Sequence, residues 1–271
     1  MQAQDPVEKS IDTLYKMISS ARYCTALTGA GVSTLSGIRD FRGKNGLYKE
    51  MDAEKIFDIG YFSKDPSFYY HAAESFIYNL DEKEPSIVHL TLGKLEKLGR
   101  LKAVITQNID LLHQKGGSRR VIEIHGSPSV HYCRRCSDQR RVEDLAAAKG
   151  EVKPEETDLL GFKETAALVH AGELPRCGKC GAVLKPAITF FGESLPVRAL
   201  KDAEQAARDT DLMLVLGTSL TVFPAAGLPQ VTIRSGGQLV IVNNMETPLD
   251  RYAALKFDDL ETLFQALDSR L

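Results

Sequence analysis

A hydrophobic run, Tyr23 to Leu27, leads straight into Gly29-Ala30-Gly31 and a string of small residues, and no other stretch narrows the choice of fold as much. A strand that runs into Gly-x-Gly and then a helix start near Ser33 is a phosphate cradle: glycine lets backbone approach an anion, and N–H groups at the start of a helix face it. Residues 37–43, Gly-Ile-Arg-Asp-Phe-Arg-Gly, then place two guanidiniums, a carboxylate and an aromatic ring in one flexible segment. The stretch is expected to grip a dinucleotide and to cover its reactive end. It departs from the dehydrogenase fingerprint, because Thr34 stands where the third glycine belongs and residues 44–60 offer acids without a strand before them. The dinucleotide is therefore expected to be held in another manner.

The remaining strands repeat one theme. The segment 101–110 (LKAVITQNID) is β-branched and ends in polar residues, and 121–126 (VIEIHG) is a second short strand. The runs 211–219 and 236–244 end in Gly217-Thr218-Ser219 and Asn243-Asn244. Helical spacing over 7–22, 66–78, 85–98, 196–208 and 257–267 alternates with them, which reads as α/β with a parallel sheet whose C-terminal edge binds the ligand. Phe68, Tyr69, Tyr70, Phe76 and Tyr78 form an aromatic face that suits a core or the wall of a ligand channel.

Four of the five cysteines lie in Cys133-x-x-Cys136 and Cys177-x-x-Cys180, with 40 residues between the pairs. Two such knuckles supply four thiolates, the donor set of a closed structural zinc site, although the spacer exceeds that of common zinc ribbons. Redox-active CxxC pairs are the alternative, disfavoured by the doubling of the motif. Cys24, alone in an apolar run, reads as a buried thiol in a reducing compartment. The N-terminal segment carries acids and no apolar h-region, and no window reaches the roughly 18 apolar residues of a membrane span, so a cytoplasmic location is expected. A net charge of −2 gives no general attraction to nucleic acid or anionic lipid.

Three constellations have both a bland and a chemical reading. Asn108 or Asp110 can cap a helix from Leu111, or they can face a ligand beside Gly29–Ser33. His125, followed by Gly126, can be structural, or it can be a general base at an open sheet edge. Phe190-Phe191-Gly192-Glu193 can be core, or the wall of a site between two modules. The other five histidines (71, 89, 113, 131 and 170) read as packing or surface residues.

In this order, the motifs GAGVS (29–33), GIRDFRG (37–43), TQNID (106–110), HG (125–126), the two CxxC pairs, FFGE (190–193), GTSLTVFPAA (217–226) and IVN (241–243) resemble the sirtuins, NAD-dependent protein lysine deacylases, over nearly the whole chain. The resemblance implies a discontinuous Rossmann-like NAD-binding domain (1–43, 96–129 and 191–271), a helical insertion (44–95) and a zinc-ribbon insertion (130–190) holding one structural zinc. It implies that Ala30, Gly31, Ser33, Phe41 and Arg42 contact NAD, that Gln107, Asn108 and Asp110 surround its nicotinamide ribose, and that Gly217, Ser219 and Asn243 hold the adenosine half. His125 would be the catalytic base, and Thr189, Phe190, Phe191, Gly192 and Glu193 would pair with an acyl-lysine peptide as a strand. The products would be nicotinamide, O-acyl-ADP-ribose and free lysine. Two departures stand out. Arg39 replaces the proline of most relatives, and the spacer between the cysteine pairs is long. Desuccinylating relatives bind the acid with a Tyr-x-x-Arg pair, but here Tyr69 is followed by Ala72, which implies acetyl or other neutral acyl groups.

Overall fold

The computed structural model describes residues 6–40, 53–148, 152–153 and 155–271. Twelve helices and nine strands are assigned among these residues. They are α1 (Pro6–Ser20), β1 (Cys24–Thr28), α2 (Gly31–Thr34), α3 (Ala53–Ile56), α4 (Ile59–Lys64), α5 (Pro66–Ala73), α6 (Ile87–Lys97), β2 (Ala103–Thr106), α7 (Leu112–Lys115), β3 (Val121–Glu123), β4 (Gly126–Tyr132), α8 (Gln139–Ala148), β5 (Leu159–Gly161), α9 (Phe162–His170), β6 (Lys185–Ile188), α10 (Val197–Asp209), β7 (Leu212–Leu216), α11 (Leu228–Arg234), β8 (Gln238–Val242), β9 (Ala253–Phe257) and α12 (Leu260–Asp268).

Six strands form a sheet in the order β3-β2-β1-β7-β8-β9, with every pairing parallel. Side chains alternate between two helical layers. Leu212, Leu214 and Leu216 of β7 pack with α1, α6 and α12, while Met213 and Val215 face the alanines of α10. Because both faces are covered, these strands read as unbroken apolar runs. The chain leaves β1 toward β2 and β3 on one side and places β7 on the other, so the strand order reverses beside β1. Such a switch point opens a crevice at the carboxyl ends of the strands. The register brings those ends level, with Thr28 opposite both Thr106 and Leu216.

A three-stranded antiparallel sheet, β5-β4-β6, sits beside an aromatic core built from α3 to α5, α9 and Phe190. Phe190 lies 5.2–5.6 Å from Tyr69, Phe62 and Phe57, so the expected aromatic face is core packing. The 40-residue spacer between the cysteine pairs, 137–176, contributes β5, α9 and, over its described part, α8. Its Asp158, almost fully buried, joins the two knuckles: its carbonyl accepts from Cys133 N at 2.9 Å, and its carboxylate pairs with Lys179 at 2.7 Å.

Three elements differ from the sequence reading. The strand expected over 121–126 stops at Glu123, and Gly126, at φ +77°, turns the chain into the second sheet. The helix expected to reach Tyr78 ends at Ala73. The edge strand β9 was not anticipated, because Ala253–Phe257 is only half covered and is not rich in β-branched residues.

Candidate functional site

The glycines after β1 are set by backbone contact. Gly31 N donates to Gly217 O at 2.9 Å, and a Cβ on Gly31 would lie 2.7 Å from Gly217 Cα. The helix expected near Ser33 is one turn, and the N–H groups of Val32 and Ser33 donate to the carbonyls of Gly29 and Ala30 at 3.2 and 3.0 Å. The ready-made cradle of free N–H groups is therefore engaged within the chain at Gly31, Val32 and Ser33. What the glycines create is a narrow junction between the ends of β1 and β7.

A layer of polar side chains lies under this junction. Asn108 Nδ2 donates to Gly29 O at 3.0 Å and to Ser33 Oγ at 3.1 Å, which turns its amide oxygen the other way. Ser33 Oγ donates to Asp110 Oδ2 at 2.6 Å, while Asp110 Oδ1 accepts Leu112 N at 3.0 Å. Asp110 thus caps α7, the bland reading of that residue, and braces the turn after β1 from beneath. Leu111 between them is held at φ +62°, uncommon for a bulky residue and typical of strained functional loops. Gln107 Nε2 donates to Thr218 Oγ1 at 3.0 Å, bridging β2 to the loop after β7.

Deeper still, the Thr28 hydroxyl donates to Thr106 at 2.9 Å and so accepts from His113 Nε2 at 2.8 Å. The His113 ring meets that of His89 at 4.6 Å between centroids. Ser86 N donates to His89 Nδ1 at 3.1 Å, and the Ser86 hydroxyl donates to Val32 O at 3.0 Å, which ties α6 to the turn after β1. Burial pushes His89 down to about 4 and His113 well below the ordinary imidazole value. Sequence reasoning ranked both as packing residues, and only the Thr28 hydroxyl at the end of an apolar strand hinted at a buried polar partner.

His125 stands in the turn between the two sheets, its Nδ1 2.9 Å from Gln107 O. A carbonyl can only accept, so Nδ1 carries the proton and Nε2 keeps its lone pair. Burial lowers the His125 pKa and the Gln107 contact opposes the shift only partly, so the ring is neutral near pH 7. Its own carbonyl accepts from Thr189 N at 2.8 Å. The following segment is anchored through Phe191: its N donates to Phe57 O at 2.7 Å and its carbonyl accepts Ile59 N at 3.1 Å. Phe190 points into the aromatic core, whereas Phe191 is exposed.

These parts border one cleft of about 1200 Å³. That exceeds the roughly 300–1000 Å³ of a usual small-molecule site and suits a dinucleotide together with a chain segment. Ala30, Gly31, Gln107, Asn108, His125, Thr189, Phe190, Phe191, Gly192, Glu193, Gly217, Ser219 and Asn243 line it. Ser33 and Asp110 lie buried beneath rather than along the wall. Phe41 and Arg42 lie outside the described residues. The sequence reading did not include Leu35 beside α2, the α10 face of Val197, Leu200, Lys201 and Glu204, or the start of α12. Five exposed apolar residues, Leu35, Phe191, Val197, Phe223 and Met245, gather on this one cleft.

In the second module, the sulfurs of Cys133, Cys136, Cys177 and Cys180 all lie within 4.8 Å of one another, and Cys133 and Cys180 approach to 3.5 Å. Thiolates bound tetrahedrally at zinc are about 3.8 Å apart, so four sulfurs at these separations fit one structural zinc. The Ala182 backbone N–H holds the Cys180 thiol down to about 7, favouring the thiolate that binds metal.

A parallel sheet with its cleft at the switch point and a neutral imidazole beside it defines a nucleotide-binding α/β enzyme. The chain belongs to the Sir2 family, whose profile matches residues 29–224. It is 44% identical over 242 residues to a Thermotoga maritima NAD-dependent protein deacetylase, covering 89% of this chain and 90% of the relative. Among solved structures, "Sir2-p53 peptide-NAD+" matches with a TM-score of 0.82 at 38% identity, covering 96% of this chain and 98% of that one. "Structure of Sir2Tm bound to a propionylated peptide" matches with a TM-score of 0.78 at 36% identity, covering 94% and 95%.

Proposed function

We propose that this chain removes acetyl and other neutral acyl groups from protein lysines with NAD as co-substrate, giving nicotinamide, O-acyl-ADP-ribose and free lysine. The observation that carries the reading is the meeting, in one cleft, of the strand-end residues, the lone pair of His125 Nε2 and the segment 189–193. The chemistry NAD supplies is a glycosidic bond to nicotinamide, whose ribose carbon receives the acyl oxygen. Ala30 and Gly31 meet the cofactor beside β1, Ser33 supports them from beneath through Asn108 and Asp110, and Gly217, Ser219 and Asn243 receive the adenosine half. Phe41 and Arg42, outside the described residues, are the further cofactor contacts that the family resemblance implies.

Gln107 and Asn108 border the reacting ribose, with Asp110 beneath them bracing Ser33 and the start of α7. The inward-turned Asn108 amide leaves its oxygen for the cleft, where a developing positive charge is stabilised by a fixed dipole that need not reorganise. His125 Nε2 accepts a proton from a hydroxyl brought to it, and the Gln107 carbonyl fixes the ring and steadies the imidazolium that results. Thr189 to Glu193 border the peptide, which pairs as an added strand through the backbone groups that His125, Phe57, Ile59 and Glu193 do not already hold. A zinc held by Cys133, Cys136, Cys177 and Cys180 would brace the module that leads into this segment.

The domain division carried forward from the sequence is 1–43, 96–129 and 191–271, with 44–95 and 130–190 as insertions; Val88, Leu92 and Leu95 of α6 pack in the large sheet's core. Free cysteines fit a reducing, cytoplasmic setting. No described helix is long and apolar enough to cross a membrane. The test is nicotinamide release with and without an acetyl-lysine peptide, with mass spectrometry of the nucleotide product. Release that does not depend on acylated peptide would refute the reading.

A further inference from the structure

We propose that Lys185 is the positioning residue for the peptide side of the cleft, its buried ammonium fixing the course of residues 186–193. Lys185 is 1% exposed. Its Nζ donates to Ile188 O at 2.6 Å and Pro186 O at 3.1 Å, and pairs with Glu193 Oε2 at 2.8 Å. An ammonium has three donors, and these three acceptors use them all. The same Glu193 oxygen accepts Phe190 N at 2.9 Å, and Nζ lies 4.1 Å from the Phe190 ring. One charge therefore gathers both ends of the turn that runs from β6 to Glu193.

The position of this node argues for more than packing. On its far side, Ile188 through Glu193 line the cleft, and Thr189 N holds the carbonyl of His125. Gly192, at φ +89°, lets the chain double back so that Glu193 reaches the ammonium beneath. Buried ion pairs are often replaceable by apolar groups with no loss of stability, so a charge with every donor used here serves to select one geometry. The role rests on the reading of 189–193 as the peptide strand, and it extends that reading to a residue that does not line the cleft.

The alkaline range separates positioning from packing. Burial brings the Lys185 ammonium down to about 8, and the Glu193 carboxylate opposes that shift. The groups facing it do not titrate there. From β4, Tyr132 is pushed up to about 12 and His131 is held down to about 3, and Tyr69 and Tyr70 of α5 are raised by burial. Arg134, just beyond β4, is the other cation acting on Lys185. His125, whose pKa is lowered, titrates on the acid side.

The experiment compares wild type with Lys185→Met, Lys185→Arg, Glu193→Gln and Phe191→Ala in steady-state kinetics against acetyl-lysine peptide and NAD, from pH 7 to 9.5. Lys185→Met and Glu193→Gln are expected to raise the peptide KM by roughly tenfold while the NAD KM stays within about twofold, and Lys185→Arg to recover most of the loss. The wild-type peptide KM is expected to climb above pH 8 and that of Lys185→Arg to stay flat, because a guanidinium does not titrate there. If Lys185→Met fails to fold, the pH comparison with Lys185→Arg decides alone. A peptide KM that Lys185→Met leaves unchanged while Phe191→Ala raises it, or an alkaline rise shared by Lys185→Arg, overturns the positioning role and leaves the strand reading standing. If Phe191→Ala also leaves the peptide KM unchanged, the strand reading fails and the role of Lys185 falls with it.

Discussion

Gly126→Ala tests how His125 and the peptide segment are held together. Gly126 sits at φ +77°, and a Cβ there would lie 2.1 Å from Ala187 O and 3.2 Å from Ile188 Cα. The left-handed conformation costs an alanine about 1–2 kcal/mol. The backbone contact cannot be relieved by a rotamer change, so β4 must move from β6 at the pair Gly126–Ile188, an overpacking cost of about 1–3 kcal/mol. The sum, about 2–5 kcal/mol, lowers the melting temperature by roughly 4–9 °C in a chain of this size. The same displacement separates His125 O from Thr189 N, now 2.8 Å apart, and so shifts the base and the peptide edge together. A misplacement near 1 Å costs on the order of a hundredfold in kcat/KM. Thermal melts, NAD binding by calorimetry and deacylation kinetics are the assays. NAD affinity is expected to change little, because the β1–β7 junction belongs to the six-stranded sheet and β4 to the other. A Gly126→Ala protein with unaltered melting and turnover would refute the claim that this junction is closed to a methyl group.

Other expectations follow from the same structure. With His125 as the proposed base, neutral and with its pKa lowered by burial, kcat/KM is expected to hold at neutral pH and to fall on the acid side. His125→Ala should abolish turnover and leave NAD binding within a few fold, and retained turnover would remove it as the base. His89, His113 and His131 are buried and resist protonation in the folded state. Protons then bind the unfolded chain preferentially, so stability is full above about pH 6.5 and is lost as pH falls, by roughly 2 kcal/mol for each histidine between pH 7 and 5. Urea midpoints at pH 7, 6 and 5 read this directly. Metal analysis should find one zinc per chain. Its removal by a chelator should raise the peptide KM before it affects NAD binding, because β4 and β6 adjoin the cysteine knuckles. Tyr69 is buried and Ala72 packs beside the aromatic core, so acetyl-lysine should exceed succinyl-lysine peptide by more than about tenfold in kcat/KM. The reverse order would sink the assignment.

Much of this was legible in the sequence because it rests on local chemistry. The run before Gly29 became β1 within one residue of its expected start, and the polar strand ends gathered along one edge as the parallel-sheet reading required. What escaped depends on contacts distant in sequence. Nothing in VIEIHG shows that Gly126 belongs to a second sheet, because its turn is fixed by Ala187 and Ile188 some sixty residues later. Glycines 29 and 31 signalled close approach correctly, but the nearest groups are Gly217 and Thr218 of the chain itself. The spacer between the cysteine pairs had no readable role, since the function of Asp158 exists only once both knuckles meet around it.

The polar residues at 106–110 are more than a strand end needs, and the structure divides that set in two. Gln107 and Asn108 line the cleft, whereas Thr106 and Asp110 are buried and bonded to Thr28, Ser33 and the start of α7. An unpaired buried polar group costs about 1–3 kcal/mol, so Thr106 and Asp110 are tolerable only because they have partners. Those partners lie on β1, the turn after it and α7, so satisfying Thr106 and Asp110 also locks the strand ends in place. The pair His113–His89 extends the lock to Ser86 and through it back to Val32. The groups offered to NAD can therefore be held without reorganisation at the moment of reaction, which is the condition under which fixed dipoles lower a barrier most. Exchanging Asp110 for Asn keeps the shape but turns one accepting oxygen into a donor facing either Ser33 or Leu112 N. It should cost turnover through a displaced Asn108 even if NAD still binds.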